Sequence, residues 1–394
     1  MHPAVGVPLH PLAAALDKAG RFHCQQPSAK LHCYGPAQIR NAYAIQPLID
    51  AGHDGSGEVI TIIDAFQNPT MAGDLTSFDS AFNLPSPPSF TTIAPFGLTA
   101  FDPNNANQVG WSGEIALDVE WAHAVAPGAG IVLALAPTDA DADIVATQRY
   151  VISNNIGNVI SMSFGEGEQC MDPTLQAAEH SLFNAATARG VSLIAGSGDQ
   201  GAAQYCTDPN ALFKGVSIPA SDPDVTGVGG TQLVADLATG AYQSESVWNE
   251  PTYGAGGGGF STLYPRPSFQ NGVLGAGSTR GVPDVAYSAA LDGGVIVAWG
   301  SGGTNYEFSI FYGTSAGTPQ WAGIIAIADQ TAGRSLGNVN APLYKLISGD
   351  FHDITTGNND FPPISGYSAQ PGWDAASGLG SPIANSIVEG LAKH

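Results

Sequence analysis

Basic residues are scarce in this 394-residue chain: 12 Lys and Arg stand against 34 Asp and Glu, a formal net charge of -22. A protein this acidic is repelled by phosphate, which excludes nucleic acid and an anionic membrane surface as partners. No run of about 18 apolar residues occurs, so no transmembrane helix is expected. The opening stretch, MHPAVGVPLHPLAAALDKAG, lacks a cationic n-region and a proper apolar h-region, so a signal peptide is expected to be absent or already removed. None of the four cysteines has CxxC spacing, which argues against a zinc ribbon or a thioredoxin-type motif. An HGT turn, the usual setting of the histidine in subtilisin-like proteases, is missing. The Gly-rich run at 254–259 lacks the Lys-Ser/Thr of a phosphate-binding loop. It reads as a turn or a substrate-facing backbone.

What is present fits an acidic, oxidising medium. As carboxylates protonate, the net charge approaches zero, and few bases remain to repel one another. A generic acidic extracellular protein is the alternative on composition alone. Cys24 with Cys33 and Cys170 with Cys206 are the expected disulfides, free buried thiols being the alternative. Hydrophobic residues make up 43% of the chain, enough for a sizeable core, and the length suits one large α/β domain. Gly (50) and Pro (28) form about a fifth of it, which suggests many ordered loops.

Residues 1–35 read as a linker or the remnant of a propeptide, and 36–394 as the folded domain. A short helix over 36–50 is expected, with Pro36 at its start. The runs at 57–66, 130–137, 158–165 and 191–199 are apolar and rich in β-branched residues, as in strands buried on both faces of a parallel sheet. Helical patterns over 112–125, with Ser112 as N-cap, over 141–154 and over 173–188 alternate with them. The pattern predicts an α/β fold, a parallel central sheet with helices on both faces, whose functional groups sit at the carboxyl ends of strands. A further strand is expected at 294–300 and a strongly apolar helix at 318–333.

Ser315, in FYGTSAGTPQWAG just before that last helix, is a candidate nucleophile, since a helix N-terminus favours a developing oxyanion. Pro319 would fit the helix's first turn. The same residues match the GxSxG elbow of α/β-hydrolases, but that fold needs an acid and a histidine after the serine. Only His352 and the terminal His394 follow Ser315. Glu114 and Asp118 are four residues apart on one helical face. Such a pair, partly buried, would share a proton and supply a base that works in acid, where imidazole is protonated and inert. A solvated acidic face is the alternative, although Ile115, Ala116, Leu117, Val119 and Trp121 argue for packing. His123 lies about 180° around that helix from Glu114. Asp199, in the Gly-flanked turn GSGDQG after a buried strand, is a candidate oxyanion donor if protonated. An Asx turn is the alternative there.

Together these residues resemble the sedolisin family, the serine-carboxyl peptidases. The elements that carry the likeness are GEIALDVEWAHAVAPGA, GSGDQGA, VSIPASDPDVTGVGGT, RGVPDVA, GTSAGTPQWAG and FHDITTGNN…GWDAASGLGSP. The resemblance implies a subtilisin-like fold and peptide hydrolysis at low pH by a Ser-Glu-Asp triad. Carried over, Ser315 is the nucleophile, Glu114 the base, Asp118 its carboxyl partner and Asp199 the oxyanion acid. Asp64, at the end of VITIIDAF, is then secondary. The resemblance also implies one structural Ca²⁺, held by the side chains of Asp353 and Asp374 and the carbonyls of Ile354, Gln370 and Gly372. A secreted monomer acting on polypeptides, an endopeptidase rather than a tripeptidyl peptidase, is expected. The rival readings are a histidine-dependent esterase and a catalytically inactive binding homologue.

Overall fold

The apolar, β-branched runs become the strands of one sheet. The computed structural model describes residues 21–273, 277–301, 307–346 and 348–393, with the backbone of 2–3 and 11–12. In chain order the sheet contains β1 (Val59–Ala65), β2 (Phe90–Ile93), β3 (Gly130–Ala136), β4 (Val159–Met162), β5 (Ser192–Gly196), β6 (Thr226–Ala235), β7 (Tyr242–Val247) and β8 (Val285–Ser288). Their spatial order is β7-β6-β5-β4-β1-β3-β2, with β8 also pairing β6. Every pair is parallel except β6 with β7.

Strand residues alternate between two cores. On one face Ile60, Ile62, Leu133, Val159 and Ile194 meet Ile115 and Leu117 of helix α1 (Ala106–Val125). On the other, Ile63, Ala134, Ile160 and Leu193 meet Ile144 and Val151 of α2 (Asp141–Ser153) and Phe183 of α3 (Pro173–Thr187). Helix α4 (Thr314–Ala332) joins α1 on the first face, with α5 (Ala384–Ala392) packed beside it. The expected α/β architecture, a parallel sheet covered on both faces, is therefore the observed one. Residues 294–300 do form a strand, Gly294–Trp299, but in a separate small sheet with Glu307–Phe311. Both expected disulfides are formed, Cys24–Cys33 and Cys170–Cys206.

Several boundaries differ from the sequence expectation. The 36–50 helix is two, Pro36–Ala42 and Gln46–Asp50, broken where Ala44 takes φ 56° and where Pro47 lacks the N–H a continuous helix needs. Helix α1 starts at Ala106. Asn105, not Ser112, is its cap: the Asn105 side chain accepts from the N–H groups of Asn107 and Gln108, while the Ser112 hydroxyl donates to the Val109 carbonyl. Helix α4 starts at Thr314, so Ser315 lies in its first turn and Pro319 inside it. Gly313, at φ 106°, makes that early start feasible.

The Gly-rich run is not an open turn. Residues 254–259 are buried, and Gly257 donates its N–H to the Gly198 carbonyl at 2.7 Å. A Cβ on Gly257 would fall 2.0 Å from the Ser197 carbonyl oxygen, so backbone packs directly on the turn that carries Asp199.

Gly317 marks a second close approach. A Cβ there would lie 2.6 Å from Cβ of Tyr287 on β8. Gly317→Ala is expected to push α4 off the sheet and destabilise the fold by about 1–3 kcal/mol, read as a lower thermal unfolding midpoint. An unchanged midpoint would mean the approach is looser than described.

Candidate active site

Helix α1 is buried over nearly its whole second half, and Glu114 and Asp118 project from it one turn apart, both at 0% exposure. Asp64, near the carboxyl end of β1, is equally buried and electrostatically coupled to both. The first turn of α4 brings in Ser315, also fully buried. The turn after β5 brings in Asp199. The four residues singled out from sequence thus converge at the carboxyl ends of β1, β4 and β5, as the rule for parallel α/β sheets requires.

Asp118 is fixed by the Ser163 hydroxyl, which donates to its Oδ1 at 2.8 Å. The Ser163 carbonyl in turn accepts the Ser315 hydroxyl at 3.4 Å. Neither Glu114 oxygen completes a hydrogen bond of regular geometry, although Ser315 is near enough to lower the Glu114 pKa. Loose hydrogen bonds of this kind are common before substrate arrives. Asp199 is oriented by Thr314, whose N–H and hydroxyl both donate to its Oδ1, at 2.8 and 2.9 Å. The Gly198 N–H closes the turn onto the Thr314 hydroxyl at 3.2 Å.

Burial dominates the electrostatics. It raises Glu114 well above the usual carboxyl range, and Asp118 and then Asp64 add to the rise. Asp118 is raised by burial and partly held back by the Ser163 hydroxyl and by Glu114. Asp64 is raised by burial and by Asp118. Asp199 is pushed up to about 7 by burial, against the two bonds from Thr314. A protonated Asp199 can accept at Oδ1 and donate from its other oxygen.

Sequence reasoning missed Ser163 and Thr314; Asp64, treated as secondary there, is buried beside Asp118. Ser163 directly follows β4 and Asp64 is near the end of β1, so the strand-end rule applied more widely would have found both. Thr314 carried no signal beyond its place beside Ser315. The histidines lie elsewhere. His123 Nε2 is 2.7 Å from the Pro85 carbonyl and 3.3 Å from Asp79, and His352 stacks on Tyr242 with ring centroids 3.6 Å apart. His394 lies outside the described residues.

Of the residues considered for calcium, Asp353 is bonded to Gly372 and Asp374 to Gln370. Both Asp353 oxygens accept the Gly372 N–H, at 3.2 and 3.1 Å, and Asp374 accepts the Gln370 N–H at 2.9 Å. Asp374 Oδ1 is further held by the N–H groups of Ala376 and Ser377. Carboxylate oxygens are hard donors of the kind Ca²⁺ prefers, and the bonds shown to these two come from backbone N–H groups. A second acidic group, His180, Asp222 and Asp224, was not anticipated. Its atoms are already engaged: His180 Nδ1 bonds Asp222 at 2.7 Å, and Asp224 accepts from Asn338 at 3.1 Å.

No family model matches the chain. Kumamolisin of Bacillus sp. (strain MN-32) is 35% identical over 385 residues, covering 94% of this chain and 66% of that protein. Sedolisin of Pseudomonas sp. (strain 101) is 32% identical over 364 residues, covering 84% and 60%. The solved structure of Pseudomonas sedolisin, described as a serine-carboxyl proteinase complexed with two molecules of pseudo-iodotyrostatin, superposes with a TM-score of 0.78 at 28% identity, over 92% of this chain and 98% of that one. The chain belongs to the sedolisin family. Tripeptidyl-peptidase 1 of Rattus norvegicus is a more distant relative, 29% identical over 71% of this chain. The chain spans under two thirds of the length of each of these curated sedolisin-family relatives. The α/β-hydrolase alternative fails on the fold, and no described histidine is placed to act on Ser315.

Carboxyls raised in this way stabilise the fold fully below the unfolded-state values near 4, where both states are protonated. That contribution is lost as the pH rises toward and through the raised folded-state values. Thermal unfolding is therefore expected to be highest in acid and to fall steadily toward neutrality. A midpoint that climbed from acid to neutral pH would contradict the carboxyl assignment.

Proposed function

We propose that the protein is an acid-acting serine-carboxyl peptidase that hydrolyses peptide bonds through an acyl-enzyme. The convergence of Ser315 with Glu114 and Asp118, with no imidazole placed there among the described residues, is the observation that carries this reading. Glu114 takes the Ser315 proton as the hydroxyl attacks the peptide carbonyl. Asp118, anchored by Ser163, shares one proton with Glu114, so the pair carries a single negative charge before the step and none after it. Asp64, the third carboxyl, raises the proton affinity of the pair, so that the one carboxylate it retains takes the Ser315 proton readily in acid. The oxyanion is met by the Ser315 N–H, one of the free donors in the first turn of α4, and by protonated Asp199. Glu114 then protonates the leaving amine, and water releases the acyl group by the reverse sequence.

The finer reading is an endopeptidase, secreted and monomeric, with residues 1–35 a linker or propeptide remnant ahead of the peptidase domain at 36–394. The two disulfides support an oxidising compartment. One structural Ca²⁺ is proposed at Asp353 and Asp374, with the carbonyls of Ile354, Gln370 and Gly372. It would tie the loop at 353–354 to the loop at 370–374.

Activity on denatured protein and on N-acetylated peptides is expected to peak in acid and to vanish in Ser315→Ala and Glu114→Ala. Asp199→Ala is expected to lose on the order of 10²–10³ in kcat, as for other oxyanion donors. A neutral optimum indifferent to Glu114 would refute the carboxyl mechanism, and a loss below about tenfold in Asp199→Ala would refute the oxyanion role. Chelation of calcium is expected to lower the thermal midpoint, with recovery on adding Ca²⁺. A midpoint unmoved by chelator would rule the metal site out.

A further inference from the structure

On the flank of Asp199 away from the strand that follows Ser163, three aromatic rings lead from the core to the surface. The lateral order at the carboxyl edge of the sheet fixes their place. β4 leads through Ser163 into the strand Phe164–Gly167, its neighbour β5 carries the Asp199 turn, and β6 and β8 lie beyond. Trp248 is tied to β6 by its backbone N–H, which donates to the Gly230 carbonyl at 3.0 Å. Tyr312 is tied to the end of β8 through Gly313, whose N–H donates to the Ala289 carbonyl at 2.7 Å. The Trp248 and Tyr312 rings stand 6.1 Å apart at 80°, and the Tyr312 and Tyr253 rings 6.2 Å apart, also at 80°. Trp248 is fully buried, Tyr312 nearly so, and Tyr253 is 40% exposed.

Tyr253 belongs to a hairpin fastened to the turn that carries Asp199. Its strands, Asn249–Glu250 and Gly254–Ala255, pair antiparallel with Tyr253 between them. The Ala255 N–H donates to the Asp199 carbonyl at 3.0 Å, and the Gly201 N–H to the Ala255 carbonyl at 2.8 Å. Gly254 permits this approach: at φ 146°, a Cβ there would fall 2.8 Å from the Asp199 carbonyl oxygen. Glu250 braces the other strand. Its carboxylate accepts the Trp248 indole N–H at 2.9 Å and the backbone N–H groups of Leu291 and Asp292 at 2.7 and 3.2 Å. Burial raises the Tyr312 phenol to about 12, and Asp199, Glu250 and Tyr253 add to the rise, so this ring lies within electrostatic reach of the oxyanion acid. The exposed Tyr253 ring is thus held at a set position beside Asp199.

A bound peptide reaches these rings with one particular half. The strand Phe164–Gly167 leads away from Ser163, and it receives an extended backbone, that of His2–Pro3, in antiparallel register. A substrate laid in the same sense runs toward Ser163 as it nears its scissile bond, so its acyl half lies along this strand. With the scissile carbonyl oxygen against Asp199, the leaving half emerges on the opposite flank, over Tyr312 and Tyr253. Two rings at nearly a right angle form a corner. A third ring placed in it meets one face and one edge, the contacts that aromatic rings prefer.

We infer that Tyr253 and Tyr312 form the subsite for the first residue of the substrate's leaving half, and that this subsite takes a large apolar side chain, aromatic above all. The inference rests on the peptidase reading and adds a substrate class to it: peptide bonds on the amino side of aromatic and bulky apolar residues. Because that residue departs with the amine, the preference acts on acylation and is read in kcat/KM.

The test uses two series of internally quenched peptides at acidic pH, with the cleaved bond identified by mass spectrometry. One series places Phe, Ala or Lys first in the leaving half. The other places the same three residues last in the acyl half. In the wild type, Phe is expected to be favoured over Ala by about tenfold in the leaving-half series. In Tyr253→Ala this ratio is expected to fall to about twofold or less, and in Tyr253→Phe, which keeps the ring, to persist, while the acyl-half ratios stay as in the wild type. No Phe preference in the wild type, or one that survives in Tyr253→Ala, would overturn the subsite. So would a change confined to the acyl-half series, which would put the rings against the other half. A Lys peptide favoured over Phe in the wild type but not in Tyr253→Ala would overturn the apolar occupant, setting a cation over the rings instead. Were no peptide cleaved at all, the peptidase reading would be the one to fail. Binding of the leaving-half series, fluorescein-labelled, to Ser315→Ala by fluorescence polarisation would then still decide the subsite by the same ratios.

Discussion

Three carboxyl groups, Asp64, Glu114 and Asp118, are packed into the interior with no cation among their described neighbours, and much of the molecule answers to that fact. An ionised carboxylate taken out of water is costly unless paired, so such a cluster keeps its protons. The same fold shows the opposite treatment at Asp284. There the fully buried Arg280 guanidinium bonds both carboxylate oxygens, at 2.7 Å to Oδ1 and more closely to Oδ2. At Asp284 the fold supplies a cation. At the site it supplies hydroxyls, Ser163 to Asp118 and Thr314 to Asp199, which orient a carboxyl without forcing it to ionise.

The cluster is held by helices rather than loops, and this limits how far it can drift. Residues 111–125 of α1 and 314–329 of α4 are buried without interruption. They pack on each other and on the sheet closely enough that Gly323 lies against Val125 and Gly317 against Tyr287. Pro319 deprives the Ser315 carbonyl of its usual helical donor, and the surrounding packing must offset that loss. A nucleophile and a base on two interlocked helices are positioned by the core itself, the arrangement that gives the most exact geometry.

How much of this was legible beforehand depended on whether the signal was local. The parallel sheet could be read because Val59–Ala65, Gly130–Ala136 and Ser192–Gly196 are apolar on both faces, which only a doubly covered sheet explains. Glu114 and Asp118 could be read because four-residue spacing and apolar neighbours are both sequence properties. The start of α1 could not, since Asn105 and Ser112 are both credible caps and the choice depends on what packs against residues 106–111. Helix α4 began early for a similar reason: the GTSAG stretch is a weak helix former, yet its first turn is needed to seat Ser315 against Ser163. The Gly-rich run misled because glycine permits a turn and also permits backbone to lie on backbone. Only the path of Ser197–Asp199 shows that the second use applies.

The same carboxyl cluster explains why a histidine base would be out of place here. An imidazole at position 114 would stand between Asp64 and Asp118, and two carboxylates beside it would favour the charged, proton-bearing form. It could not then accept a proton from Ser315. The residue that suits this position is one that shares a single proton with a neighbour and still takes a second in acid, and a glutamate paired with Asp118 meets both conditions. Histidine does occur on α1, at 123, but on the far side, bonded to the Pro85 carbonyl. With 34 acids and 12 bases, the surface follows the logic of the interior: both lose charge as the pH falls, so the conditions that prime the site also relieve the self-repulsion of the fold.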